Sequence, residues 1–271
     1  MQAVRQASGV AIKTPISYYG GKQSMLPLIL TKVPPHRVYT EPFAGGAAVF
    51  WAKRPSKLEV LNDLNGEVVN FYQVLRQDFE ALNRLVQATL HSRQSYADAL
   101  CVYHHPHLFS QSRRAWAFWV LTQQGYCCKV GSWGYDKTTG SKERKLLHQK
   151  VQFSPQLAER LERVQIECND AVRVIQSRDT QETFHYVDPP YVASNQGHYA
   201  GYTNQHFERL LEALSIVKGK FLLSSYESPV LSRFVQEQGW RQERHDMHLS
   251  SSRSGKRKVE VITWNYDLEQ A

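Results

Sequence analysis

Short apolar runs alternate with helical stretches along this chain, and each run stops at a polar turn. Arg37 to Thr40 reads as a strand before Glu41-Pro42-Phe43-Ala44-Gly45-Gly46, and residues 47–53 read as the helix that follows. Leu58 to Leu61 is a second strand, ending in Asn62-Asp63-Leu64-Asn65, with a helix from about 67 to 76. This β-α-β-α order predicts a parallel sheet, because two strands joined through a helix run in the same direction. After Asp78 the rhythm stops, and residues up to about Leu147 read first as helix and then as loop, rich in Gln, His, Tyr and Trp. The rhythm resumes with a helix at 155–164, a strand at 164–167, a helix at 171–176 and a strand at 184–187. A helix at 205–217, a strand at 220–224 and a helix at 229–238 follow, and 240–249 and 259–266 alternate like a β-hairpin. The expected architecture is α/β, a doubly wound sheet ending in an antiparallel hairpin. Residues 1–76 and 151–271 would build it, and 77–150 would be an insertion, mostly helical.

The chain's 271 residues allow one such domain with its insertion. No apolar run approaches the length of a membrane span, and Met1 to Ser8 lacks the apolar core of a signal peptide. Cys101, Cys127, Cys128 and Cys168 form no C-x-x-C pair, so a cytoplasmic protein with reduced thiols is expected. Cys127 and Cys128 are adjacent, their side chains would diverge in extended structure, and they read as packing or loop residues. His104-His105-Pro106-His107 has no carboxylate or cysteine spacing to support it, so no metal is expected. Trp116, Phe118 and Trp119 read as core of the insertion. The net charge of +8 is gathered in two places. Lys137, Lys142, Arg144, Lys145 and Lys150 crowd one segment, and Arg253, Lys256, Arg257 and Lys258 another. Two such clusters point to a nucleic acid partner.

In open parallel sheets ligands lie beyond the carboxyl ends of the strands. Three polar turns fall at such ends. The first, Glu41 to Gly46, has glycines between strand and helix, which permits close backbone approach to a ligand. Asp63 is where an acid can hold ribose hydroxyls, as in a nucleoside site, and no G-x-G-x-x-G marks a dinucleotide site instead. The third is Asp188-Pro189-Pro190-Tyr191. The prolines stiffen the turn and remove N–H donors, leaving carbonyls free. Asp188 and the Pro189 carbonyl can accept from an exocyclic amine while the Tyr191 ring stacks on the base that bears it. On this reading the ring matters and the hydroxyl does not.

Together these pieces resemble the Dam-type (D12 class) N6-adenine DNA methyltransferases. The resemblance runs in order through Tyr18-Tyr19-Gly20-Gly21-Lys22, the Glu41 to Gly46 loop, Asn62-Asp63-Leu64-Asn65, Asp188 to Tyr191 and the basic hairpin loop 250–258. It implies a Rossmann-like methyltransferase that uses S-adenosylmethionine, with 77–150 as the target-recognition domain. It implies a cofactor site of Tyr18, Lys22, Glu41, Pro42, Phe43, Ala44, Gly45, Gly46, Asp63, Asp188 and, after the third strand, Asp170 or its neighbour Asn169. It implies catalysis at Asp188, Pro189, Pro190 and Tyr191 on an adenine flipped out of double-stranded DNA. Phosphate contacts would come from Arg253, Lys256, Arg257 and Lys258. Base contacts would come from the insertion: Lys129, Ser132, Trp133, Tyr135, Lys137, Lys142, Arg144 and Lys145. The stretch from Gly125 to Tyr135 departs from the segment with which Dam enzymes read GATC, so that specificity does not carry over. The enzyme could serve a cognate restriction endonuclease or none. RNA, a protein amide and a silent DNA-binding role are the alternatives, and Asp188 with the basic loop favours DNA adenine.

Overall fold

The computed structural model describes residues 12–18, 20–128, 130–191, 201–248 and 257–268. A first helix, α1 (Leu26–Lys32), precedes β1 (Val38–Glu41), α2 (Ala48–Ala52), β2 (Leu58–Asn62) and α3 (Gly66–Gln77). Four helices then follow: α4 (Phe79–Ala88), α5 (Arg93–His104), α6 (Gln111–Gln124) and α7 (Ser141–Gln152). The alternation returns with α8 (Pro155–Leu161), β3 (Val164–Glu167), α9 (Ala171–Arg178), β4 (Thr183–Val187), α10 (Asn204–Ser215), β5 (Lys220–Tyr226) and α11 (Pro229–Gln238). The hairpin β6 (Arg241–His248) and β7 (Arg257–Trp264) closes the chain.

The seven strands form one sheet in the order β3-β2-β1-β4-β5-β7-β6. The first five are parallel, β7 is antiparallel to β5, and β6 is antiparallel to β7. The chain moves outward from β1 to β3, returns to the centre for β4, and moves outward the other way. β1 and β4 are therefore neighbours at the point where the order reverses, and a crevice opens beyond their carboxyl ends. All five residues of β4 are buried, as a strand covered on both faces requires. Its side chains alternate between two cores. Phe184 and Tyr186 join one, with Leu222 and Ile262, and Val187 joins the other, with Leu223, Val261 and the apolar faces of α10 and α11.

The helices at 79–152 share the first of these cores with the sheet. Residues 115–124 of α6 are all buried, with Trp116, Phe118 and Trp119 inside as expected, and Phe118 lies 6.2 Å from Phe71 of α3 between ring centroids. Two expectations are corrected. Lys142, Arg144 and Lys145 lie on a helix rather than a loop, and Arg257 and Lys258 begin a strand rather than ending the hairpin loop. Cys127 and Cys128 lie in the turn after α6, with φ of 52° and 59° in the left-handed region. Such backbone is uncommon outside glycine and makes a tight reversal between Gly125 and Trp133, which bridge.

Candidate active site

The glycine loop is shaped from below. Glu41 ends β1 with its carboxyl buried, and Oε2 accepts from the Tyr39 hydroxyl at 3.0 Å and the Phe50 N–H at 3.2 Å. Burial pushes that carboxyl up to about 8, so it holds a proton at neutral pH. Asn62 of β2 accepts from the Ala44 N–H through its own carbonyl at 2.8 Å and donates from Nδ2 to the Pro42 carbonyl at 2.8 Å. Gly45 has φ +45°, and a Cβ there would stand 2.8 Å from the Tyr18 ring. Tyr18 occupies the space that the missing side chain leaves. Asp63 is buried and spans two loops: Oδ2 accepts from the Gly45 N–H at 2.8 Å and Oδ1 from the Asn65 N–H at 2.9 Å. The acid predicted to hold a ribose is thus also the brace of the glycine loop.

A cleft of about 520 Å³ opens beyond this loop, lined by Phe43, Asn65, Asp170, Pro190, Tyr202 and Arg209 among others. Phe43 meets the Tyr202 ring edge-on at 6.4 Å. The Tyr202 hydroxyl is buried and has no hydrogen-bond partner among the described residues. Asp170 caps α9 by accepting from the Arg173 N–H at 3.1 Å, and both its oxygens accept from Arg209, each at 3.1 Å. Asn169 is tied to Asn62 through its N–H at 2.9 Å and its carbonyl at 3.0 Å.

At the end of β4, Asp188 stands in a cluster the sequence only partly foretold. Lys22 Nζ lies 2.8 Å from Asp188 Oδ1, and the Tyr191 hydroxyl donates to the same oxygen at 3.2 Å. No described residue engages Oδ2. Lys22 Nζ is also 3.3 Å from Glu260 Oε1 on β7, and the Tyr191 hydroxyl donates to that oxygen at 2.6 Å. The Lys22 ammonium lies over the Tyr191 ring, 4.7 Å from its centroid, and the Tyr226 ring packs on Tyr191 at 4.3 Å. Two carboxylates thus share one ammonium. Burial, followed by the repulsion of Glu260, outweighs the pull of Lys22 and pushes Asp188 up to about 6. Burial works against the charge of Lys22, but the two carboxylates win and raise its pKa.

The expected DNA-contacting residues fall in two regions. Trp133 and Tyr135 stack at 5.5 Å with rings 21° apart, and the exposed Arg93 guanidinium lies 4.7 Å from the Trp133 ring centroid. Ser132, Lys137, Arg144 and Lys145 are exposed nearby, and Lys142 is half-buried. Asp136 orders this basic segment by accepting from the N–H groups of Thr139, Gly140 and Lys142 and the Ser141 hydroxyl. Those bonds, Lys142 and Ser141 first, hold its carboxyl well below the usual range. Lys129, Arg253 and Lys256 lie outside the described residues.

Sequence reasoning missed Glu260, Tyr226, Tyr202, Arg209 and Arg93. Glu260 left a trace: it is one acid inside the apolar run Val259-Glu260-Val261-Ile262, where a charge needs a reason.

A family model for the D12 class N6 adenine-specific DNA methyltransferases matches residues 18–246. The type II methyltransferase M1.LlaDCHI of Lactococcus lactis subsp. cremoris is 33% identical over 91 residues, 33% of this chain and 31% of that protein. The DNA N-6-adenine-methyltransferase of Escherichia phage P1 is 24% identical over 240 residues, 83% of this chain and 31% of that protein. The matched chain spans about a third of the length of these curated relatives. A solved precorrin-6y C5,15-methyltransferase from Geobacter metallireducens GS-15 covers 89% of this chain and 87% of its own at 10% identity, with a TM-score of 0.37, too slight a likeness to bear on the fold. With the match running from Tyr18 through the Asp188 turn and into β6, the chain belongs to the D12 class of N6 adenine-specific DNA methyltransferases.

Proposed function

We propose that this protein methylates N6 of adenine in double-stranded DNA with S-adenosylmethionine as donor. The observation that carries the reading is an oxygen of Asp188, Oδ2, that takes no hydrogen bond from the described residues. Lys22 and Tyr191 both bind Oδ1, and no described residue engages Oδ2, at the carboxyl end of β4 where the strand order reverses.

The cleft fits the donor's polar groups. The Tyr202 hydroxyl, which has no partner among the described residues, Phe43 and the Asp63-braced glycine loop would hold it, with Asp170 and Asn65 at the rim. When bound, S-adenosylmethionine supplies a methyl group activated by its sulfonium.

The chain's own residues do the rest. The amine of adenine is a poor nucleophile because its lone pair is spread into the ring. Asp188 Oδ2 and the Pro189 carbonyl accept from it, favouring a more tetrahedral nitrogen and stabilising positive charge as that charge develops. The target base cannot be reached inside a duplex, so it is turned out and stacked on Tyr191. The Trp133, Tyr135 and Arg93 stack with the basic residues around it would read base edges from the insertion, 77–150. The hairpin residues Arg253, Lys256, Arg257 and Lys258 would grip phosphates.

Methyl incorporation into duplex DNA, RNA and protein, measured side by side, tests the reading. Label should enter duplex DNA. Label in RNA or protein alone would replace this reading with another amine-methylating one.

A further inference from the structure

Tyr191 and Asp188 belong to one turn, yet much of what holds them comes from another part of the fold. Glu260 sits in β7 between two valines and is 5% exposed. A carboxylate in such a place costs stability unless it is paired. Its pairing is aimed at the site, since Oε1 accepts from the Tyr191 hydroxyl at 2.6 Å and lies 3.3 Å from Lys22 Nζ. The strand register sets Glu260 opposite Tyr226 of β5 on one side and His245 of β6 on the other. Tyr226 packs on the Tyr191 ring at 4.3 Å. The antiparallel β5–β7 pair therefore holds Tyr191 at both its ring and its oxygen.

We propose that Glu260 is a positioning residue for methyl transfer. By gripping the Tyr191 hydroxyl and sharing Lys22 with Asp188, it locks the ring that stacks on the target base to the carboxylate that receives its amine. The inference rests on the methyl-transfer reading above. Glu260 touches neither base nor cofactor in this account, and it acts through Tyr191 and Lys22.

Charge and grip can be separated. The groups that face Asp188 are Lys22 from the N-terminal loop, Glu260 from β7 and Tyr191 from its own turn, with Tyr186 of β4 and Glu41 of β1 behind them. Glu260→Gln keeps an oxygen for the Tyr191 hydroxyl but removes one of two negative charges around Lys22. Asp188 then needs a lower pH to take a proton. Glu260→Asp keeps the charge and shortens the reach.

The test compares wild type, Glu260→Gln, Glu260→Asp, Tyr191→Phe and the Asp–Phe double variant. It reads kcat and KM on duplex DNA from about pH 5 to 9, together with S-adenosylhomocysteine affinity by calorimetry. Glu260→Gln should keep ligand affinity and KM within about threefold and lose roughly tenfold in kcat. Its acid limb should move to lower pH by about one unit. Glu260→Asp should lose kcat without moving that limb, which keeps the test decisive if the Gln protein does not fold. Adding Tyr191→Phe to Glu260→Asp should cost little more, because both act through one contact. A lowered melting temperature with an unmoved pH profile, or losses that multiply in the double variant, overturns the role. Wild-type protein that methylates no DNA overturns it together with the reading beneath it, whereas an active wild type with unmoved variants overturns Glu260 alone.

Discussion

The hydroxyl of Tyr191 donates toward two carboxylates, Asp188 at 3.2 Å and Glu260 at 2.6 Å, so the ring and its oxygen act together. Tyr191→Phe removes the one hydroxyl hydrogen that the two acids share while keeping the stacking face. It should cost on the order of tenfold in kcat, with Tyr191→Ala costing about 10²-fold and weakening capture of a flipped base. Steady-state kinetics on duplex DNA checks this; equal rates for Phe and wild type would return the hydroxyl to irrelevance. The ring was legible because Asp-Pro-Pro-Tyr is a compact signal in four letters. The hydroxyl was not, because its partner Glu260 lies 69 residues away on a strand whose pairing no local pattern reveals. Glu41 is a second residue whose surroundings decide its chemistry. Its carboxyl is raised from about 4.5 to about 8, so the folded protein keeps a proton that the unfolded chain releases across that interval. Stability from this group is present at low pH and declines as pH rises through the interval. Glu41→Gln resembles the protonated acid and should flatten that decline, seen as urea midpoints that change less between about pH 5 and 8 than in wild type. An unchanged decline would mean that Glu41 ionises freely in the fold.

At the scale of elements, the turns after β1 and β2 form one device. Asp63 ties the Gly45 N–H to the Asn65 N–H, and Asn62 ties Pro42 and Ala44 of the first turn to β2. Asp63→Ala should therefore weaken S-adenosylhomocysteine binding by about tenfold or more, with a much smaller effect on DNA binding, because the loop loses its brace and the ligand an acceptor. Calorimetry with unchanged affinity would remove Asp63 from the cofactor site. The strands behind these turns were readable in sequence, since each is a short apolar run ending at a polar turn. The insertion was harder for a physical reason. Gln123 and Gln124 of α6 look like surface residues, but Gln123 Nε2 donates to the Pro15 carbonyl at 3.1 Å and Gln124 Nε2 to the Leu90 carbonyl at 2.9 Å. Paired in this way, amides can be buried without the apolar pattern that betrays a core helix. α7 fails to announce itself for the opposite reason: Leu146 is its one buried residue, so its apolar stripe is too thin to show a helical period.

For the whole molecule, the charge of +8 and the split of basic residues between the insertion and the terminal hairpin set how DNA would be held. Neutralising Arg253, Lys256, Arg257 or Lys258 should weaken binding to every duplex and lower the log–log salt slope by about one per lost phosphate contact. Substituting Arg93, Trp133 or Tyr135 should instead change preference between sites, by roughly 1–3 kcal/mol per lost base contact. Binding to cognate and non-cognate duplexes over a salt series separates the two, and hairpin variants that altered site choice would reverse the assignment. All of this depends on chemistry at one carboxylate. The most direct measurement is single-base detection of N6-methyladenine in duplex DNA treated with wild type or Asp188→Ala, with S-adenosylhomocysteine binding measured on both proteins. Wild type should place N6-methyladenine at a defined sequence, while Asp188→Ala binds the ligand but methylates at least about 10²-fold more slowly. Near-normal N6-methyladenine formation by folded Asp188→Ala protein would contradict the account.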